Sequence, residues 1–379
     1  MRTVRAFAPG RTEIAGNHTD HQGGRVVAAA VSCGVEMRLE PRADGRAHVE
    51  SEGFAPFEIA LNDDAARVDE RGTTRALVRG VVAGLRGRGV PVEGFRMKAR
   101  STVPSGSGLS SSAAFELALG TGLELLFAGE GAEPAGAVGL SVVGQAAERD
   151  YFGKPCGLMD QLAVACGGVC AFDFGDAAQP AIEQIDFSFA DHGYALCLVD
   201  THCDHSRYTD EYAQVAYDMN AVASFMGAPV LSQVPEAAFM DRFEVVRAGL
   251  GDLPALRGLH YYHEMHLVDE RIRAMKAGDI AAFLDATRRS AASSAQYLQN
   301  VSTSDRASQP AMVTLALCDR LLEGEGAARI HGGGFGGSIQ AFVPTDRLVF
   351  FKKQLDEHLG RASCQTYEIA PEGARAECM

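Results

Sequence analysis

The run VPSGSGLSSSAA (103–114) leads straight into FELALGTGLELLF, and no other stretch constrains the chain so tightly. Residues 95–102 before it alternate apolar and polar as a strand does. The residues after it make a long apolar helix. Strand, glycine-serine loop and helix in succession place the loop's N–H groups at a helix N-terminus, where free amides and the dipole favour an anion. Glycine lets the main chain approach a ligand closely. The serine hydroxyls suit phosphate oxygen or a magnesium ion. A glycine turn whose serines only cap the helix is the plain alternative, and the loop alone leaves the two readings level. It is not a Walker A loop, because GxxxxGK[ST] is absent and no lysine follows. It is not a dinucleotide fingerprint either, because Ser111 stands where the third glycine belongs.

A second loop, GGGFGG (332–337), has glycine at every position but one, between apolar Ile330 and the apolar run 339–343. So much glycine costs chain entropy, which points to a backbone that must come close to something; a flexible surface loop is the other reading.

Acidic and basic candidates are dispersed. Arg11, Glu13, Asn17, His18 and Asp20 crowd residues 8–21 ahead of a buried strand, either as a polar wall for a hydroxyl-rich ligand or as a solvated loop. Asp160 sits among apolar neighbours after the turn Pro155-Cys156-Gly157, either as a helix N-cap or as a functional acid. Glu148 lies twelve residues earlier on a helix that can face the serine loop. HYYHEMH (260–266) resembles a metal tract but lacks HExxH spacing, and it reads as structural. His202 and His205 read as polar loop contacts.

The chain's 379 residues fit two domains at about 100–200 residues each. The polar, proline-containing stretch 174–193 sets the expected division, giving 1–190 and 191–379. Expected strands are 3–8 (ended by a Pro9-Gly10 turn), 26–35, 95–102, 194–200 and 338–343. Expected helices are 73–89, the apolar segment after 110, 140–151, 210–226, 236–250, 265–298, 308–322 and 346–359. That mixture is α+β. A net charge of −14 argues against a nucleic-acid face. No run nears the roughly 20 apolar residues of a membrane span, and the N-terminus shows no signal-peptide pattern, so a cytoplasmic protein is expected. Nine scattered cysteines read as reduced thiols, with no paired set for zinc.

Taken in order, PGRTEIAGNHTDHQGG (9–24), VPSGSGLSSSAA (103–114) and RIHGGGFGGS (329–338) resemble the GHMP family of small-molecule kinases, and within it the galactokinases. CGLMDQ (156–161) resembles the segment that carries the family's catalytic aspartate, and DTHCDHSRYTDEY (200–212) is a looser match to a sugar-contacting region. The resemblance implies a two-domain fold, ribosomal-protein-S5-like then ferredoxin-like, with the site in the cleft. It implies ATP and Mg²⁺, and transfer of the γ-phosphate to the 1-OH of galactose. Asp160 and Arg11 would be catalytic. Pro104, Gly106, Ser107, Gly108, Leu109, Ser110, Ser111, Ser112 and Ala113 would hold the nucleotide, and Ser112 with Glu148 the metal. Asn17, His18, Asp20, Gly157, Tyr212 and Glu13 would hold the sugar. Gly333, Gly334 and Gly336 would let the C-terminal domain close over it. A monomer or weak dimer is the expected assembly.

Several positions depart from the family's pattern. Where GRVNLIGEHTD is usual, Glu13 replaces asparagine and Asn17 replaces glutamate; the reciprocal exchange suggests that Glu13 restores an acceptor for the sugar. Thr74 stands where a tryptophan often lines the adenine pocket, and 293–310 match the family poorly. A kinase for another sugar, such as an N-acetylhexosamine or arabinose, and a non-catalytic sugar- and ATP-binding regulator remain the alternatives.

Overall fold

The computed structural model describes residues 3–104, 106–129, 133–176, 179–203 and 208–379. A long antiparallel hairpin organises the first half. β1 (Val4–Ala15) pairs with β2 (Arg25–Arg42), and the connection between them, 16–24, carries the polar wall. The sheet grows through β3 (Arg46–Ser51), β4 (Phe57–Ala60), β5 (Gly94–Ser101), β6 (Val169–Asp173) and β7 (Ala181–Ile185). Its main path runs β1-β2-β5-β3-β4, with β6 on the far half of β2 and β7 on β6. Helices α1 (Thr74–Gly87), α2 (Ser111–Phe127), α3 (Gly136–Ala146) and α4 (Met159–Cys166) cover one face, burying Val81, Leu117, Leu123 and Val143 against Met37, Leu39 and Met97.

The expected turn at Pro9-Gly10 is instead a register shift inside β1, where Pro9 faces Gly34 and Gly10 faces Val31. Turns and bulges draw on the same residues. Here the bulge twists the strand so that its second half, buried on both faces, leads into the site.

The second half holds a four-stranded antiparallel sheet. Its strands are β8 (Tyr194–Asp200), β9 (Ala327–His331), β10 (Ser338–Pro344) and β11 (Cys364–Tyr367), in the order β11-β8-β10-β9. The helices are α5 (Thr209–Phe225), α6 (Glu236–Asp241), α7 (Phe243–Leu250), α8 (Asp252–Ala277), α9 (Ile280–Ser293), α10 (Pro310–Leu322) and α11 (Leu348–Leu359). The single helix expected over 265–298 is broken at Gly278, left-handed at φ 66°, and Asp279 caps α9 by accepting from Ala282 N–H at 3.0 Å. Phe187, Phe189, Phe283 and Phe342 pack in tilted and edge-on contacts between α9 and the sheet. The last strand, β12 (Arg375–Cys378), crosses back over the expected 190/191 division to pair with β1. Among the described residues no helix is long and apolar enough to cross a membrane.

Candidate active site

The 103–110 loop leaves β5 and enters α2 through three left-handed residues, Gly106, Gly108 and Ser110, at φ 72°, 73° and 55°. Among the described residues its serines do not cap the helix. Ser107 Oγ donates to Pro104 O at 2.8 Å, Ser112 Oγ donates to Glu148, and Ser110 Oγ donates to Asp160. Ser110 holds the N-cap position without a side-chain cap bond. The first amides of α2, at Ser111, Ser112 and Ala113, therefore remain for an anion, supported by the dipole of a 17-residue helix. The described serines thus do not serve as the caps that the plain alternative expects. Ser105 of this loop lies outside the described residues.

Asp160 stands in the first turn of α4 and faces Arg11 from β1. The pair is bidentate: Nε donates to Oδ1 at 2.7 Å and Nη2 to Oδ2 at 2.6 Å. Arg11 also donates through Nη1 to Gly108 O, and its backbone N–H meets Leu109 O at 3.0 Å, so one residue ties the acid to the loop. Burial raises the Asp160 carboxyl, but the Arg11 charge and the Ser110 bond outweigh it, leaving the pKa below the ordinary value. Asp160 is an anion at neutral pH.

Glu148 projects from a π-helical turn, Ala147–Phe152, that continues α3. Such wide turns recur at functional sites. Oε1 accepts from Ser112 Oγ at 2.9 Å and from Lys154 at 2.8 Å, while Oε2 accepts from Gln161 Nε2 at 2.9 Å. A hydroxyl and a carboxylate side by side, next to an anion loop, are hard oxygen donors of the kind magnesium shares with phosphate and water. Among the described residues no three His, Cys, Asp or Glu side chains converge on a self-contained metal site, so the pair suits a metal that arrives with phosphate.

Opposite these groups lies the 16–24 connection. Asp20 approaches Gly157 so closely that a Cβ at 157 would run into Oδ2. Burial, with a further push from Asp160, lifts the Asp20 carboxyl to about 6 despite its bond to His21 N–H. The ring of Tyr212, on α5, lies 5.4 Å from that of His18. His18 Nε2 donates to Gly333 O at 3.0 Å, which fixes its tautomer and leaves Nδ1 to accept from His21 Nε2 at 3.1 Å. Burial depresses both imidazoles, His18 to about 3 and His21 to about 4, so both are neutral.

Glu13 and Asn17 are placed behind this wall. Arg329, fully buried on β9, donates to Glu13 Oε1 at 2.7 Å. Asn17, also fully buried, donates to Gly332 O at 2.6 Å and accepts from Asn300 Nδ2 at 2.8 Å. The acceptor expected at Glu13 is therefore committed to a guanidinium. The glycine loop is docked rather than open. Gly332 and Gly333 accept from Asn17 and His18, Phe335 N–H donates to Asn300 O at 2.6 Å, and a Cβ at Gly333 would collide with Tyr212. Gly334 and Gly336 take φ of 87° and 151°.

Comparison with known proteins bears on this constellation. Residues 76–168 match the GHMP kinases N terminal domain, and residues 2–38 match the galactokinase galactose-binding signature. Galactokinase of Streptomyces coelicolor is 32% identical over 381 residues, covering 97% of this chain and 92% of that one. The chain belongs to the galactokinase family. Galactokinase of Actinobacillus pleuropneumoniae serotype 5b is 29% identical across 96% of this chain and 88% of its own. In fold, the crystal structure of Lactococcus lactis galactokinase complexed with galactose superposes with a TM-score of 0.81 at 24% identity, covering 98% and 94% of the two chains. L. major mevalonate kinase in complex with R-mevalonate follows at 0.64 and 18%, covering 97% and 96%. These place the chain on the GHMP kinase fold, and galactokinase family membership makes ATP its phosphoryl donor.

In this galactokinase-family chain the matched segments take in Arg11, Asp20, Ser112, Glu148 and Asp160 but not Tyr212 or the glycine loop. Sequence reasoning missed Arg329, Asn300, Gln161 and His331. His331 meets Thr12 Oγ1 at 3.0 Å and Ser338 Oγ at 3.1 Å, and Ser338 Oγ donates to Ser107 O at 3.1 Å, joining the two loops. An arginine inside the otherwise apolar AARI run was the available signal for Arg329. The histidine tract is structural: His260 Nε2 donates to Asn17 O at 3.0 Å and His266 faces Glu236 at 2.7 Å. His202 contacts Ser363 Oγ at 2.9 Å, and His205 lies outside the described residues.

Proposed function

We propose that the chain transfers the γ-phosphoryl group of ATP to the anomeric 1-hydroxyl of galactose, giving galactose 1-phosphate and ADP. One observation carries this reading. The Asp160 carboxylate, held by both arms of Arg11 and by Ser110, stands at the mouth of the uncapped α2 N-terminus and beside the Asp20–Gly157 contact. An anion bound on the α2 amides and a hydroxyl accepted by Asp20 thus meet near one fixed anion–cation pair.

The amides of the 106–113 segment would hold the phosphates. Ser112 and Glu148 would hold Mg²⁺, which when bound neutralises charge on the triphosphate. Arg11, always protonated, faces both Asp160 and the loop, so its charge is in place as negative charge spreads over the transferred group. Asp160, kept ionised, is a weak proton acceptor at rest. Its work is to orient the attacking hydroxyl and take up that proton only as the oxygen–phosphorus bond forms. Asp20 and Tyr212 would grip the remaining hydroxyls, Gly157 giving Asp20 its room, while neutral His18, with both ring nitrogens engaged, would offer its ring face to the sugar. Asn17, Glu13 and the glycine loop support the wall from behind. A substrate panel with coupled ADP detection, with the phosphorylated position read by phosphorus NMR, tests the assignment. Turnover of another sugar in preference to galactose, or phosphate at another hydroxyl, refutes it.

A further inference from the structure

Lys154 holds a position that this mechanism leaves unexplained. Its ammonium donates to Glu148 Oε1, the same oxygen that Ser112 Oγ reaches. A side-chain cation thus sits on the oxygen that a metal held by Ser112 and Glu148 would need. The main chain is anchored there too. Gly153, left-handed at φ 91°, closes the π turn, and Lys154 N–H donates to Glu148 O at 3.1 Å.

The hydroxyl, amide and ammonium donors to Glu148 differ in freedom. Gln161 is fully buried on α4, and its amide also reaches Glu116 Oε2 at 3.0 Å. Ser112 is fixed in the first turn of α2. The Lys154 side chain is 57% exposed while its carboxylate partner is 2% exposed, so of these three Lys154 is the one that can leave without opening the core. An ammonium and a divalent cation on one carboxylate oxygen repel each other. A triphosphate on the neighbouring amides offers the ammonium another anion within the sweep of its flexible four-carbon stem.

We propose that Lys154 is an exchange residue: it neutralises Glu148 in the nucleotide-free protein, and its ammonium passes to a phosphate oxygen as the metal takes Glu148. This rests on the reading of Ser112 and Glu148 as metal ligands and of the 103–113 loop as the triphosphate site. It makes uptake ordered. Metal alone must break a buried-edge ion pair, whereas metal and nucleotide together replace it.

The test uses Lys154→Met and Lys154→Gln beside the wild type. Mn²⁺ alone is titrated by electron paramagnetic resonance, and metal-free AMP-PNP in EDTA is titrated by calorimetry. Both variants are expected to bind Mn²⁺ alone at least about fivefold tighter and AMP-PNP about tenfold more weakly, the loss of one charge-assisted phosphate contact. Unchanged or weaker Mn²⁺ binding overturns the exchange, as does unaltered nucleotide affinity. A Gln variant that behaves as wild type overturns it as well, because the charge would then not be what is exchanged. A wild type that takes up no Mn²⁺ even with AMP-PNP present overturns the metal assignment of Ser112 and Glu148, and the exchange with it.

Discussion

Asp20 is where the cost of building a polar wall inside a folded lobe is measurable. Its carboxyl is raised from an ordinary 3.8 to about 6, first by burial and then by the charge on Asp160. For an acid, a raised native pKa is a stability cost: the native state resists ionisation, so the protein loses stability as pH rises from 3.8 through about 6. Above that range the cost is fully present; below 3.8 it is gone. At about 1.36 kcal/mol per pH unit the penalty is about 3 kcal/mol at pH 8. Asp20→Asn keeps the shape and the acceptor for His21 N–H but removes the charge. With an unfolding entropy of about 2.1 cal/mol/K per residue, the variant should melt about 4 °C above the parent at pH 8, and the gap should shrink to about half by pH 5. The same variant should lose galactose affinity by about 10–100-fold, because hydrogen bonds to a charged acceptor contribute about 1.5–3 kcal/mol. Calorimetry across pH and coupled kinetics read both. A variant no more stable than the parent at pH 8, or a gap that does not change with pH, refutes the reasoning.

Four further outcomes follow from the same geometry. Asp160→Asn should remain folded by circular dichroism and lose about 10³ in kcat; activity within tenfold of the parent removes its assigned role. In the parent, KM for galactose should rise as pH falls below about 6, where Asp20 gains its proton, and should stay flat for Asp20→Asn; equal profiles remove Asp20 from the sugar site. Arg329→Met leaves Glu13 buried without its partner and should cost about 3–5 kcal/mol in urea unfolding, with Glu13→Gln in the same chain recovering much of it; additive losses would show that the two do not act as a pair. Gly157→Ala forces Asp20 aside and should raise KM for galactose with little change in KM for ATP; a rise in both would place Gly157 elsewhere in the mechanism.

The parts legible in the sequence are those whose chemistry is local. The 103–114 loop announces itself because glycines and serines ahead of an apolar helix leave few conformations, and the structure adds only that Ser110 and Ser112 turn to Asp160 and Glu148 rather than to the helix. Where partners are distant, residue type misleads. Glycine after proline reads as a turn, but a strand reaching 25 residues further on converts it to a bulge in β1. The Gly278-Asp279 pair did offer a stop and a cap, yet the apolar pattern runs on through both helices and masks the break. Glu13 is the sharpest case. Beside Asn17 it reads as half of a swap that preserves a sugar acceptor, and only the fold brings Arg329, 316 residues away, onto its carboxylate. A buried guanidinium without a partner would cost more than a surface acceptor gains. Position 13 therefore answers to β9 first, which leaves Asp20, packed against Gly157, as the acid for the proposed sugar site.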